Sequence, residues 1–245
     1  MELRATAFVL EDDQGRKCAE LSTGSDGPML TMYDKNDEVR IVMVVNKHGS
    51  GLLLFNENGR RQIVLDINKD MPGLRLYDKN VQPRVGLDVI EDGVKLALAD
   101  ENGKTRIGMV VAEDGSGLTM ANEKGEPCIV LGTSKDESKL ALFDDKDKKH
   151  AVLGMDKDGS ALALSDEKGR RRIELDASKD KARLVMSDEK GKTRVGLDVS
   201  KNKPELLLSD ENGQPRIGMI VAEDGPGLIL ADENGNRASL HTILK

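Results

Sequence analysis

Glycine recurs in this chain on a fixed beat. Gly15, Gly59, Gly103, Gly125, Gly169, Gly191, Gly213 and Gly235 are separated by intervals of 22 or 44 residues. Asp37, Val81 and Asp147 fill the missing beats, so eleven turns share one period without drift. A strict period of this length constrains the fold strongly, because each copy must be one supersecondary unit that shields its apolar side against its neighbours. An apolar pair two residues apart precedes every turn, as in Leu52/Leu54, Leu96/Leu98 and Leu206/Leu208. A triplet at the same spacing follows, as in Ile63/Leu65/Ile67 and Ile107/Met109/Val111. A period of two is the signature of a strand with one apolar face, and the three- and four-residue spacing of a helix is missing.

The turn has its own chemistry. Asp or Asn stands three residues before every Gly position, from Asp12 and Asp34 to Asp210 and Asp232. Asp at the head of a turn accepts bonds from its own backbone, and Gly supplies the positive φ that ends it. Val81 is ill suited to that conformation, so the spacing predicts that Asn80 takes the left-handed site in its copy. Asp-Gly pairs such as Asp26-Gly27, Asp92-Gly93, Asp158-Gly159 and Asp224-Gly225 mark a tight return connection. Each copy therefore reads as strand, turn, strand, turn, with both apolar sets on one face.

The fold class that follows is all-β: eleven tandem 22-residue β-hairpins in one repeat domain spanning residues 1–245. A longer period lies on top. Arg106–Gly115 recurs almost unchanged at Arg216–Gly225, and Cys18 pairs with Cys128 at the same spacing of 110. A five-hairpin block of 110 residues is thus duplicated, with one further copy. Inward apolar positions number on the order of 55, each contributing roughly 1.5–3 kcal/mol before entropy is subtracted. A round barrel of this many strands at about 4.8 Å spacing would be more than ~30 Å across, too wide for Leu and Val to fill. The favoured expectation is a closed, shallow or flattened antiparallel barrel or ring. The alternatives are a β-solenoid and an open sheet folded over on itself.

The recurrent Leu-x-Leu-x-Asp-x-x-Gly-x-x-Arg-Ile-x-Leu, as in Leu96–Met109 and Leu206–Met219, resembles the hairpin-repeat bacterial proteins called β-flowers. The resemblance implies a shallow symmetric barrel with hairpin petals, similar in outline to the Tubby barrel, and with it lipid or membrane association.

Composition narrows function. The net charge is -7 and aromatic residues make up 2% with no Trp, so the basic face and stacking platforms of a nucleic-acid binder are missing. Two cysteines are too few for a disulfide framework. No apolar run approaches the ~20 residues of a membrane helix. Met1–Leu10 is a mixed strand-like stretch and not a signal peptide, so a soluble chain is expected and its compartment stays open. Nucleophile–base chemistry needs convergent side chains. The three histidines, His48, His150 and His241, fall at different repeat positions, so no enzyme and no catalytic residue is expected.

Metal binding is not expected either. Asp156-Lys157-Asp158-Gly159 and Asp144-Asp145-Lys146-Asp147 lack the closing Glu of a calcium loop, and no cofactor is implied. Arg40, Arg84, Arg106, Arg172, Arg194 and Arg216 form a ladder opposite the apolar face. Asp88, Asp176 and Asp198 stand four residues after three of them, which reads as a charge lattice or an anion site. Four of the five aromatics, Tyr33, Phe55, Tyr77 and Phe143, occupy one repeat position just before the turn Asp or Asn. They form the candidate interaction patch, or else a shield for the turn rim. The function expected is a non-catalytic structural or binding β-repeat scaffold, with an unknown protein partner or self-association. The alternative is a carrier of a lipid or other hydrophobic ligand, suited by ten adaptable Met residues.

Overall fold

A computed structural model describes residues 4–241 apart from residues 147, 201, 202 and 224. Asp147 and Asp224, singled out above as turn residues, therefore lie outside the described residues. The chain divides into two compact units, Met1–Gly125 and Glu126–Lys245. The first contains eleven strands, from Ala7–Glu11 to Gly115–Ala121. The second contains another eleven, from Pro127–Ser134 to Arg237–His241. Within each unit every strand pairs antiparallel with its neighbours in sequence, so the all-β hairpin repeat is what the chain builds.

Closure is not part of it. Among the described residues Ala7–Glu11 pairs with Lys17–Gly24 alone, and Arg237–His241 with Gly225–Ala231 alone. The expected closed ring is thus replaced by an open ladder with free edges. The physical reason is the one that rejected a round barrel: closing so many strands encloses a lumen their side chains cannot fill.

The turn follows the Asp chemistry closely. In the first copy the Asp12 carboxylate accepts the N–H groups of Gln14 (2.9 Å) and Arg16 (3.0 Å). Its carbonyl accepts Gly15 N–H at 3.0 Å, and its own N–H donates to Arg16 carbonyl at 2.9 Å. The same set recurs at Asp100, Asp166 and Asp210, and Asn56 reproduces it with an amide oxygen. Nine of the hairpins then carry a β-bulge, seen where Leu54 faces Ile63 but Phe55 faces Arg61, whereas the last runs without one, Leu230 facing Ala238 and Ala231 facing Arg237. The bulged residue is the ladder Arg or its substitute.

Val81 departs from expectation. It adopts φ 63° itself, and Asn80 does not take the left-handed site. The Asp78 carboxylate holds the N–H groups of Asn80 and Gln82, and Asp78 carbonyl holds that of Val81 at 3.0 Å. Together with the bond from Asp78 N–H to the Gln82 carbonyl at 3.0 Å, these impose a conformation that the Val side chain disfavours.

The return turn also differs in detail from an Asp-Gly loop. Gly49 and Gly159 begin the next strand, at φ 145° and 154°. A Cβ there would overlap the Ile67 or Ala177 carbonyl oxygen on the following strand, far inside van der Waals contact. Glycine is required at these positions by close approach of the backbone as well as by turn geometry.

Candidate functional site: an uncharged sheet face

Strand parity sorts the side chains of each unit into two faces. Pairings such as Met43 with Leu52, Leu65 with Leu74 and Leu175 with Leu184 place the apolar pair and triplet together. The remaining positions of that face are Pro, Ser, Thr, Ala or Val, as in Pro28, Ser50, Pro72, Val94, Ser160 and Ala182. No Asp, Glu, Lys or Arg occurs at any of these paired positions, although a third of the chain is charged. The opposite face carries the charges, including Glu20, Asp66, Arg75, Asp88, Lys139, Glu174 and Asp198.

The apolar face, expected from its alternation to be the buried core, is instead largely exposed. Leu65 is 47% exposed, Leu153 51% and Met155 59%, with Met43, Leu87, Met109 and Leu197 in the same state. Among the described residues the buried hydrophobic side chains are Ala141 and Val185, and both sit on the charged face. Ala141 lies between Val130 and Val152 of the flanking strands, and buried Thr31 between Glu20 and Val42. Gly218 lies between Leu207 and Ile229, whose side chains would stand 3.4 and 3.6 Å from a Cβ there. A small residue is covered sideways by longer ones in the same layer. Leu beside Leu cannot be covered that way, because flanking side chains of equal height leave each tip bare.

The bare face is large. Eleven strands at about 4.8 Å and some seven residues at about 3.4 Å give each unit a face on the order of 1,000 Å². An ordinary monomer's largest apolar patch is about 300–600 Å². Shallow concavities lie within it. One of 380 Å³ is bordered by Leu21, Leu30, Met43, Leu52, Leu65 and Ile67. Another of 360 Å³ is bordered by Leu153, Leu162, Leu175, Leu184, Leu197 and Val199, and is also lined by Asp176 and Arg183 of the opposite face.

The Arg ladder works differently from the spacing argument. Arg84 does not take Asp88. Its Nε donates to Ala99 carbonyl at 2.9 Å, and its Nη1 lies 3.4 Å from Asp78 Oδ2 in its own turn. Arg106, Arg172 and Arg194 repeat this with Ala121, Ser187 and Ser209. Arg40 and Arg216 pair with Asp34 and Asp210 and reach the carbonyl of the next turn's Asn56 or Asp232. Each ladder residue thus staples its own turn to the next hairpin. Gln62 reaches Asp78 carbonyl at 3.1 Å, and His150 holds Asp144 at 3.1 Å. Arg60, Lys104 and Lys148 add a second staple, to the carbonyls of Lys79, Glu123 and Glu167.

These bonds depress the turn carboxylates. His150 and the Lys148 and Lys146 N–H groups hold Asp144 down to about 2. The Arg170 side chain, with the Arg170 and Lys168 N–H groups, does the same for Asp166. Asp88 instead binds Arg75 at 2.6 Å, which also reaches Asp66 at 3.2 Å over the gap left by Gly73. Asp198 takes Lys181 at 2.8 Å.

Tyr33, Phe55, Tyr77 and Phe143 all end the first strand of a hairpin, half-buried beside the bulge. Consecutive copies are two strands apart, about 9.6 Å, so the rings are interleaved with other side chains. Lys17 lies over Tyr33 at 5.4 Å, Arg61 over Tyr77 at 4.9 Å and Lys149 over Phe143 at 5.9 Å. His48 donates its backbone N–H to Asn46 in a return turn, and the Asp156 carboxylate accepts the N–H groups of Asp158 and Gly159. Among the described residues no group of three or more His, Cys, Asp or Glu is placed to hold a metal ion. No helix among them is long and apolar enough to cross a membrane.

No family model and no curated protein matches this chain. Among solved structures, a chain of the crystal structure of TcdB2-TccC3-Cdc42 is similar over 95% of this chain at 10% identity, with a TM-score of 0.20. This chain spans 17% of that chain's length, and a likeness at this level carries no argument.

Proposed function

We propose that the chain is a non-catalytic structural or binding β-repeat scaffold that works through its uncharged sheet face. The observation that carries this reading is the exposure of Leu, Ile, Met and Val across a face without a single charged position. Surfaces of that size and character mark interaction sites in soluble proteins. The absence of an enzyme site belongs to the same proposal: repeat copies spread polar groups evenly, and His150 is engaged with a turn carboxylate. Kinship with the bacterial β-flowers, suggested by the repeat motif, is also part of it. Tyr33, Phe55, Tyr77 and Phe143 form a proposed secondary patch at the rim.

The experiment is binding of the apolar dye 1-anilinonaphthalene-8-sulfonate to native protein. Dye binding lowered several-fold by Leu65→Thr with Leu175→Thr, with the far-ultraviolet circular dichroism unchanged, supports the reading. An unchanged signal overturns it. For the aromatic patch, replacing Tyr33, Phe55 and Tyr77 by Ala is expected to weaken association while leaving the fold intact. Loss of folding without a change in association removes the patch.

A second reading is a carrier of a lipid or other hydrophobic ligand, favoured by the two apolar concavities of 360 and 380 Å³. Native mass spectrometry separates it: a co-purifying lipid mass supports the carrier, and a bare chain mass removes it.

A further inference from the structure

We propose that the uncharged face of a unit is covered by the same face of a second copy of this chain, as the two layers of a β-sandwich. This rests on the reading that the uncharged face is the binding surface, and it names the occupant.

Three properties of the face select that partner. The first is charge. A partner bearing Asp, Glu, Lys or Arg would bury it against Leu65, Leu175 and their neighbours with nothing to pair it, so the covering surface must be equally uncharged. The opposite face of this chain fails that test, since Asp66, Arg75, Asp88 and Asp198 lie on it. Nucleic acid and lipid headgroups fail it as well. The second is area. A face on the order of 1,000 Å² meets the roughly 800 Å² per partner of a stable complex. The third is period. The rows of Leu and Ile repeat every two strands, about 9.6 Å, and a second copy carries the same rows at the same spacing. Ridges of one layer can then enter the grooves of the other along the whole unit, at the ~10 Å separation of packed sheets.

The same period has a consequence for stoichiometry. Sliding one layer by one hairpin preserves every contact except those at the ends. The pairing is then heterologous, and the uncovered rows can accept a further copy. Association therefore extends beyond the dimer as concentration rises.

Sedimentation velocity on the full chain between 1 and 100 µM tests this, at low salt and in 1 M NaCl. The expected result is a concentration-dependent dimer and larger species that persist or strengthen in high salt, because no charge lies in the interface. Leu65→Thr with Leu175→Thr on the uncharged face should raise the association midpoint at least tenfold. Thr already stands on this face at Thr23 and Thr133, so the strands accept it. Val64→Thr with Val152→Thr, the matched pair on the opposite face, should leave the midpoint unchanged.

Four results overturn the proposal. One is association lost in high salt, and another is association equally sensitive to both pairs. A third is a monomer at 100 µM that binds the dye, which keeps the binding-face reading and removes the second copy as its occupant. A monomer that does not bind the dye, or that carries a lipid mass, removes the self-pairing together with a bare protein-binding face.

Discussion

At the turn rim, the backbone groups that leave the ladder are met one by one: Asp100 takes two N–H groups, and Arg106 ties that turn to the next hairpin. A few residues along the same strands, Met109 and Val111 stand 45% and 58% exposed. Both regions belong to every copy of the repeat, yet the rim is complete within one chain and the uncharged face is not. Directional bonds between near neighbours in sequence can be satisfied inside a single layer of sheet. Apolar area cannot, because a layer covers only its own flanks. The difference teaches that the repeat specifies its ladder and turns by itself, whereas its apolar face is left exposed, which is why the proposal assigns a further layer to it.

The largest predicted effect attacks the ladder. Gly49→Ala places a methyl group against the Ile67 carbonyl in a backbone conformation that only Gly adopts readily. It should destabilise by about 3 kcal/mol or more, read from the urea midpoint. A loss below about 1 kcal/mol would show that the ladder yields easily, and would break the contrast with the open face.

Next come the two faces. Val185→Ala removes a buried side chain and should cost about 2 kcal/mol. Leu65→Ala removes a larger but half-bare side chain and should cost about 1 kcal/mol in dilute protein, since less area leaves water in the first place. Its cost should grow with protein concentration. Equal and concentration-independent costs would mean that the uncharged face is shielded within the chain.

Val81→Gly sharpens the view of the rim. Relief of the left-handed Val should raise stability by about 1 kcal/mol, measured by denaturant titration. A fall would mean that the Val side chain contributes packing that its backbone geometry hides.

The smallest effect is acid sensitivity. The turn carboxylates have folded-state values below the ordinary 3.8, and Asp144 and Asp166 sit at about 2. Their contribution is fully present above pH 3.8 and is lost as the pH falls toward 2, because the unfolded chain binds the protons more readily. Thermal melting should therefore decline across that window. Asp144→Asn with Asp166→Asn should flatten the decline, since Asn56 makes the same turn without a charge. An unchanged slope would place the acid sensitivity elsewhere.

How far the fold could be read in advance is clear from particular residues. The Asp12-to-Gly15 turn, the strand spacing and the antiparallel hairpins follow from local chemistry that each copy states again. The partners of Arg84 did not, because a spacing of four along one strand placed Asp88 on the correct face. The bulge then turned the guanidinium toward Asp78 and the neighbouring hairpin. The left-handed Val81 was also hidden, since its neighbours' hydrogen bonds outweighed its own preference. For the candidate site, the alternation that marks Leu65 and Leu175 as one face was visible, and so was the lack of charge at every matching position. The alternation pointed to a core; exposure made it a surface.

The sequence by itself determined the repeat, its strands, its turns and which side chains share a face, because period two and Asp–Gly geometry act over a few residues. Only the tertiary structure decided that the ladder stays open and that its apolar face is bare. Those outcomes depend on whether distant strands meet. Within each unit, and among the described residues, each strand meets only its neighbours in sequence.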